Sequence, residues 1–195
     1  VCPTKAMRKD ADTGVVTYNA EACIGCRYCV WACPYNVPKW DFEEAFGEIH
    51  KCQFCNHLLA EGKLPACVES CPTGASLFGT REEMLAEAKR RLALKPGSSY
   101  AYPRRTLEDP HRHEAIVPHY VDQVYGESQG GGTQVMVLAG VPFEALDLPV
   151  LPERSYAAVS ETIQHTVYKG MLAPLALLGG LMVVSYRRLG KEDDE

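Results

Sequence analysis

The sequence lacks an excess of positive charge, a phosphate-binding glycine loop and any grouping of nucleophile, acid and base. Its 195 residues carry 20 Lys and Arg against 25 Asp and Glu, a formal net charge of −5. Nucleic acid selects basic surfaces, so this balance argues against a nucleic-acid partner. Because no residues are placed to activate a substrate, we expect the chain to be non-catalytic.

The sequence also begins without an initiator methionine. Cys2 and Pro3 resemble the end of a cysteine motif whose earlier members are absent. We therefore expect the natural N-terminus, with any export signal, to lie outside this sequence. The length and the 46% hydrophobic content allow one or two compact units.

Cysteine, in contrast, is abundant. Four cysteines occur in CIGCRYCVWACP, the CxxCxxCxxxCP spacing with which bacterial ferredoxins hold 4Fe-4S clusters. A second group of four reads CxxCx11CxxxCP, and one cysteine precedes both groups. The nine candidate ligands are Cys2, Cys23, Cys26, Cys29, Cys33, Cys52, Cys55, Cys67 and Cys71.

Zinc ribbons and buried thiols also use CxxC pairs. A zinc site needs four ligands and no CxxxCP, so the pattern favours 4Fe-4S clusters. In two-cluster ferredoxins the cysteine before proline ligates the neighbouring cluster, and chain length permits either group to be the neighbour. CPTKA, a hairpin and an acidic residue precede CIGC, whereas residues 34–51 are expected to be irregular and without a hairpin. We therefore predict that Cys2 completes the cluster of Cys23, Cys26 and Cys29.

On this pairing, one cluster is fully ligated within the sequence. The other five cysteines would hold further clusters together with ligands outside it. Gly25 is expected to relieve crowding in the cysteine loop. Tyr28 and Trp31 would either shield the cluster or pack in the core, and further cover is expected from Pro38, Trp40, Phe42 and Phe46.

Other segments are assigned structural roles. Residues 56–66 form an insertion that could contact a partner or be a surface excursion. Thr80 and Glu83 form a capping box that starts a helix, and Glu87 with Arg91 is expected to form part of its solvated face. Loop histidines 111, 113 and 119 fit no common ligand spacing. A strand is predicted over residues 133–139.

The C-terminal part changes character from residue 160. An uncharged apolar run over residues 171–186 can reach membrane-spanning length with Val167, Tyr168 and a snorkelling Lys169. A buried helix at a subunit interface is the alternative. Arg187, Arg188 and Lys191 directly after the run favour a cytoplasmic C-terminus.

The predicted fold class is α+β. It comprises a ferredoxin-like cluster domain with irregular loops over residues 1–79 and a helix plus an extended clasp over residues 80–159. A single membrane anchor helix over residues 160–189 and a charged tail over residues 190–195 complete the chain.

The cysteine motifs resemble the four-cluster electron-transfer subunits of bacterial respiratory oxidoreductases. CRYCVWACPYNVPKW, FGTREEMLAEAKRRLALKPGS, GGGTQVMVLAGVPFEALDLP and IQHTVYKGMLAPLALLGGL are similar to HybA-type subunits of membrane-bound nickel-iron uptake hydrogenases. The likeness runs from Cys2 to Arg188. The first motif and three cysteines of the second are not in this sequence.

The resemblance implies a function, partners and a location. Four 4Fe-4S clusters in the intact subunit would relay electrons from the hydrogenase large and small subunits to an integral membrane subunit that reduces quinone. Twin-arginine export would place the clusters on the periplasmic side of the inner membrane, with the C-terminal helix in the lipid. The alternatives are the iron-sulfur subunit of a formate dehydrogenase or related molybdoenzyme, and an assembly module with merely structural clusters.

Overall fold

The structure is a computed structural model that describes residues 1–44 and 47–192. For residues 156, 157, 161, 164 and 187–192 it describes the backbone alone. The cover expected from Phe46, the basic side chains after residue 186 and the end of the charged tail therefore lie outside the described side chains. The chain divides into two compact units, Val1–Glu153 and a second that begins at Arg154.

In its described residues the first unit mixes short helices with three separate two-stranded antiparallel sheets. The mixture agrees with the predicted α+β class, although each sheet is small. The strands are β1 (Met7–Lys9), β2 (Val16–Tyr18), β3 (Lys39–Trp40), β4 (Ile49–His50), β5 (Ser99–Pro103) and β6 (Arg112–Ile116). The helices are α1 (Tyr28–Ala32), α2 (Asn56–Ala60), α3 (Ala66–Glu69) and α4 (Arg81–Leu92), with 3-10 turns at Ala20–Ala22, Gln129–Gly131 and Phe143–Leu146.

The first hairpin, β1–β2, lies where the sequence predicts it. The Asp10 carboxylate accepts hydrogen bonds from the backbone N–H groups of Asp12 and Thr13, which closes the turn. Gly14 completes the turn with φ +70°. Met7 then lies opposite Tyr18, so the strand leads the chain directly toward Cys23.

A second hairpin, β3–β4, contradicts the prediction that residues 34–51 contain none. Trp40 lies opposite Ile49, whose side chain is buried. Each strand has only two residues, which is too short for the period-two alternation that identifies a strand in a sequence. The absence of a hairpin therefore cannot be the reason that Cys2, and not the second cysteine group, completes the cluster of Cys23, Cys26 and Cys29. Only the positions of the cysteines in the structure can decide between them.

Helix α4 begins as predicted, because both hydrogen bonds of the Thr80–Glu83 capping box are present. Its expected solvated face is wrong: Glu87 is 4% and Arg91 is 8% exposed. Arg91 Nε donates to Glu87 Oε1 at 2.7 Å, and the Arg91 guanidinium lies 5.0 Å from the centroid of the Tyr102 ring. The charged face is covered because β5 carries aromatic side chains against it.

Glu87 holds this contact together by accepting hydrogen bonds from Arg90 and Arg91, and from the Tyr100 hydroxyl at 3.3 Å. Burial would raise the pKa of Glu87, but its two arginine partners lower the pKa below the ordinary value. Because the pKa of Glu87 is lower in the folded state than in the unfolded state, its ionised carboxylate stabilises the fold fully at pH values above the unfolded-state pKa. This stabilisation is lost as the pH falls through the folded-state pKa.

Replacing Glu87 by Gln should lower the free energy of unfolding by about 3 kcal/mol, because Arg91 would remain buried without its charge partner. The midpoint of urea unfolding, followed by circular dichroism, measures the change. Glu82→Gln is the matched control, since Glu82 is an exposed acid of the same helix. Equal midpoints for the two variants would show that the buried pair does not stabilise the fold.

The segment after α4 also differs from expectation. The β5–β6 sheet was not predicted, because its strands, SYAYP and RHEAI, show no clear apolar alternation. The strand predicted over residues 133–139 is wrong: an isolated bridge from Tyr125 to Val137 is present there instead. Tyr125, Ala139 and Phe143 form a buried cluster with Tyr35 packed against it.

The second unit contains helix α5 (Tyr156–Glu192), which has 37 residues and includes Pro174. Its segment Ala158–Tyr186 is 29 residues long with a mean hydropathy of 1.7. At 1.5 Å per residue such a helix is about 44 Å long, more than the roughly 30 Å of a bilayer core. The helix is thus long and apolar enough to cross a membrane.

Candidate functional site

Four of the nine candidate cysteines surround one recess of about 330 Å³, a volume that includes its open mouth. They come from two places, the start of the chain and the first cysteine motif. Apolar side chains form much of the remaining wall. The recess is lined by Cys2, Cys23, Cys26 and Cys29 together with Thr4, Ala6, Met7, Tyr18, Ile24, Arg27 and Ile49.

Local backbone conformation turns the motif cysteines toward the recess. Gly25 (φ +68°) and Arg27 (φ +62°) both adopt left-handed conformations, which wrap the chain tightly between Cys23 and Cys29. Helix α1 then starts at Tyr28 and carries Cys29 in its first turn. The prediction that glycine relieves crowding here has a specific basis, since a Cβ at Gly25 would lie 3.0 Å from Trp40 Cη2.

Cys2 reaches the same recess through the first hairpin. The chain turns after Cys2, where Lys5 N–H donates to the Cys2 carbonyl oxygen at 3.4 Å. Strand β1 follows and pairs with β2, which ends five residues before Cys23. Residues 21 positions apart in sequence are thereby brought to one site.

Backbone N–H groups point at several of the sulfur atoms. Met7 N–H donates to Cys2 Sγ at 3.5 Å, and Gly25 N–H donates to Cys23 Sγ at 3.5 Å. The second cysteine group repeats both contacts, from Phe54 to Cys52 at 3.4 Å and from Ser76 to Cys71 at 3.4 Å. Such donors favour the thiolate form, which is the form that ligates metal.

At Cys71 and Cys2 these contacts lower the thiol pKa. The N–H of Ser76, with the Thr73 hydroxyl, lowers the pKa of Cys71 to about 7 despite some burial. Burial raises the pKa of Cys2, but the N–H of Met7 and the hydroxyl of Thr4 outweigh it and lower the pKa overall. Burial raises the pKa of Cys29. The Cys71 thiol therefore loses its proton more readily than the Cys29 thiol.

The repeated contacts follow a repeat in the sequence that was not used in predicting the site. CPTKA at residues 2–6 and CPTGA at residues 71–75 share their first three residues and a positive φ three residues after the cysteine, and in both the fifth residue after the cysteine donates its N–H to sulfur. In each turn the threonine hydroxyl lies within 3.7 Å of the cysteine Sγ. This internal repeat is a second signal in the sequence that Cys2, already a candidate from its CP pair, belongs with the other candidate ligands.

The remaining five cysteines do not line this recess. Cys33 follows the end of α1, Cys55 precedes α2 in a left-handed conformation, and Cys67 lies in α3. The insertion over residues 56–66 is thus partly helical. Cys52 and Cys67 are exposed, so this second group is open to solvent in the described chain.

The donor set can be tested against zinc and against an iron-sulfur cluster. Zinc needs four ligands about 2.3 Å from one ion when these are sulfur. Among the described residues no three His, Cys, Asp or Glu side chains converge on a single-ion site. Four sulfurs spread around a largely apolar recess fit a larger group with several irons, so the residues present fit a 4Fe-4S cluster.

The cover of the site differs from the prediction. Neither Tyr28 nor Trp31 lines the recess, and they are 62% and 87% exposed, so neither shielding nor core packing is right for them. Tyr18 lines it instead. Burial and a hydrogen bond with Cys23 raise the pKa of Tyr18 to about 12, so its hydroxyl stays protonated beside the Cys23 sulfur. Pro38 is buried and Trp40 half-buried, whereas Phe42 is exposed.

The histidines singled out as unsuited to metal binding lie around β6. The His111 Nδ1 is 3.0 Å from Asp109 Oδ1, and Asp109 also receives the guanidinium of Arg105 at 2.5 Å. Arg105 and the His111 backbone N–H together lower the pKa of Asp109 below its usual range. This cluster joins two turns of the first unit and lies apart from the cysteine residues that line the recess.

Comparison with known proteins gives consistent matches. Residues 1–81 match the family described as a 4Fe-4S dicluster domain. The chain is 57% identical over 197 residues to the hydrogenase-2 operon protein HybA of Escherichia coli O157:H7 and of Shigella flexneri, which covers 99% of this chain and 60% of those proteins. It is 32% identical over 181 residues to the nitrate-inducible formate dehydrogenase iron-sulfur subunit of Escherichia coli K12, covering 91% of this chain and 52% of that protein. The chain thus spans about 60% of the length of the first of these relatives.

Proposed function

This chain belongs to the 4Fe-4S dicluster iron-sulfur proteins related to HybA, and from that premise we propose that it is a non-catalytic electron carrier. It relays electrons released by hydrogen oxidation in a hydrogenase to a membrane partner that reduces quinone. The single observation that carries the proposal is the recess in which Cys2, Cys23, Cys26 and Cys29 meet. All four cysteines can ligate one cluster, which leaves no iron position open to a substrate.

The ligand assignment is part of the proposal. Cys2, Cys23, Cys26 and Cys29 hold one 4Fe-4S cluster, which can exchange single electrons when bound. The backbone N–H groups of Met7 and Gly25 stabilise the charge on two of these sulfurs, and Ile49 with Ala6 limits water. The other five cysteines ligate further clusters, for which the dicluster family supplies the support, since its match extends through Cys71.

The second unit supplies the membrane attachment. We assign α5 as a single span of the inner membrane, supported by its apolar segment Ala158–Tyr186. Positive residues favour the cytoplasmic side, and Arg187, Arg188 and Lys191 follow the span in sequence. The cluster unit then lies on the periplasmic side, where the hydrogenase large and small subunits are its partners.

Sequence identity favours a hydrogenase over a formate dehydrogenase as the electron donor. The HybA relatives are 57% identical, whereas the formate dehydrogenase subunits are 32% to 34% identical over a shorter part of this chain. A hydrogenase is therefore a better-supported partner than a molybdoenzyme. An assembly module with structural clusters is the alternative of a different class, and redox-inactive clusters would identify it.

Purification of the intact complex through this subunit should recover nickel in stoichiometric amount and no molybdenum or tungsten. Metal analysis by mass spectrometry makes the measurement, because nickel marks the hydrogenase large subunit and the other metals mark a formate dehydrogenase. The control is the same preparation from cells that lack the hydrogenase large subunit. Molybdenum or tungsten in the complex would contradict the hydrogenase assignment, and clusters that take up no electrons would contradict electron transfer.

A further inference from the structure

Arg27 is held in a cation–π clamp beside the cysteine recess. Its guanidinium carbon lies 5.4 Å from the centroid of the Trp40 ring and 5.7 Å from that of Phe42. Both distances are within the roughly 6 Å over which an aromatic face attracts a cation. Two aromatic rings thus fix one positive charge next to Cys26.

The backbone is arranged to permit this clamp. Gly25 has φ +68°, and a Cβ there would lie 3.0 Å from Trp40 Cη2, so glycine lets the indole approach the cysteine loop without a shift. Trp40 is positioned in turn by the pairing of β3 with β4, which places its partner Ile49 in the wall of the recess. Arg27 itself adopts φ +62°, an unusual conformation for a residue other than glycine.

The positive charge of Arg27 has no other charged side chain beside it in the described lining of the recess, apart from the cysteines. The second cysteine group has no such cation at the matching place, because Asn56 follows Cys55 where Arg27 follows Cys26. The second group has a cation at another place, Lys51, whose ammonium donates to the Cys52 carbonyl oxygen at 2.7 Å. What distinguishes the first group is that its cation lies over two aromatic rings beside the second cysteine of the motif.

We propose that Arg27 raises the reduction potential of the cluster held by Cys2, Cys23, Cys26 and Cys29, an inference that rests on the proposed function. One-electron reduction adds one negative charge at the recess, and a fixed cation stabilises that charge more than it stabilises the oxidised form. Net charge near a cluster is one of the factors that set its potential. Because Arg27 is exposed, water and salt screen part of the effect.

The test compares variants at one position in the full-length subunit within its complex. Arg27→Asn removes the charge and introduces a residue that tolerates positive φ. Arg27→Lys keeps the charge. Lys63→Gln is the control, since Lys63 is an exposed cation paired with Glu61 that does not line the recess. A dithionite titration followed by electron paramagnetic resonance gives each potential, and iron content verifies cluster loading.

We expect Arg27→Asn to lower the equilibrium constant for reduction of this cluster about tenfold, which is 59 mV for a one-electron couple. Arg27→Lys should keep most of the wild-type potential, and Lys63→Gln should not change it. Phe42→Leu provides an independent variant, because Phe42 is 74% exposed and its loss should leave the fold intact. It should shift the potential in the same direction by a smaller amount, since the guanidinium loses one ring.

The outcomes separate the inference from the proposed function. A fully loaded Arg27→Asn protein with an unchanged potential would overturn the role of Arg27 alone. A Lys variant shifted as far as the Asn variant would do the same, because geometry rather than charge would then matter. If the wild-type signal does not depend on Cys2, Cys23, Cys26 and Cys29, the ligand assignment fails, and the proposal for Arg27 is overturned with it.

Discussion

Replacing Cys2 by Ser in the full-length subunit should remove or convert one 4Fe-4S cluster. The expected loss is up to about four iron atoms per chain, together with the electron paramagnetic resonance signal of that cluster. The reason is geometric: Cys2 lines the same recess as Cys23, Cys26 and Cys29 and has a backbone donor, Met7 N–H, aimed at its sulfur. A serine hydroxyl is a shorter and harder ligand that replaces a thiolate poorly.

Cys71→Ser is the matched control for this experiment. Cys71 starts the same CPT sequence and accepts the corresponding N–H contact, from Ser76 at 3.4 Å, but does not line the recess. The Cys71→Ser variant should perturb a different cluster and keep the electron paramagnetic resonance signal that Cys2→Ser loses. If Cys71→Ser instead removes that signal and Cys2→Ser leaves it unchanged, the pairing is reversed and the assignment is wrong.

Deleting the chain from Thr166 onward should release the cluster unit from the membrane. The deletion removes most of the apolar segment Ala158–Tyr186, and too few apolar residues would remain to span a bilayer. Most of the subunit should move from washed membranes to the soluble periplasmic fraction. Immunoblotting of the fractions measures its location, and cluster absorbance shows whether Val1–Glu153 stays loaded.

A deletion that starts at Lys191 is the control, because it leaves the apolar segment complete and should not release the protein. A reporter that is active only in the cytoplasm, fused after Glu195, tests the orientation and should be active. A Thr166 truncation that stays with the membrane as firmly as the wild type would show that protein contacts hold the subunit. An inactive reporter would reverse the assigned topology.

The elements that could be predicted are those whose defining residues lie within a few positions of one another in the sequence. Thr80 and Glu83 lie three residues apart, and their capping box starts α4 where the sequence indicates. Asp12 and Gly14 likewise predict the turn of the first hairpin, although the carboxylate that closes this turn is that of Asp10. The second hairpin could not be identified, because strands of two residues carry no periodic pattern, and its stability comes from the buried Ile49.

Exposure was the property that the sequence predicted least well. Glu87 and Arg91 have the spacing of a surface ion pair, but β5 covers them because Tyr100 and Tyr102 lie against α4. Trp31 has a large apolar side chain of the kind that is usually buried, but it is 87% exposed. Helix periodicity reports which side chains share a face, whereas the segment packed against that face determines whether it is buried.

The sequence by itself determined the class of cofactor, because cluster ligands occur at short, fixed spacings that the chain must keep to wrap around a cubane. It also determined the apolar segment at the C-terminal end, since length and hydropathy are properties of consecutive residues. Only the tertiary structure decided that Cys2 shares a recess with Cys23, Cys26 and Cys29, and that Trp40 and Phe42 hold Arg27 beside it. Those contacts depend on strand pairing and on the approach of an indole to Gly25, which join residues too far apart in sequence for any local pattern to report.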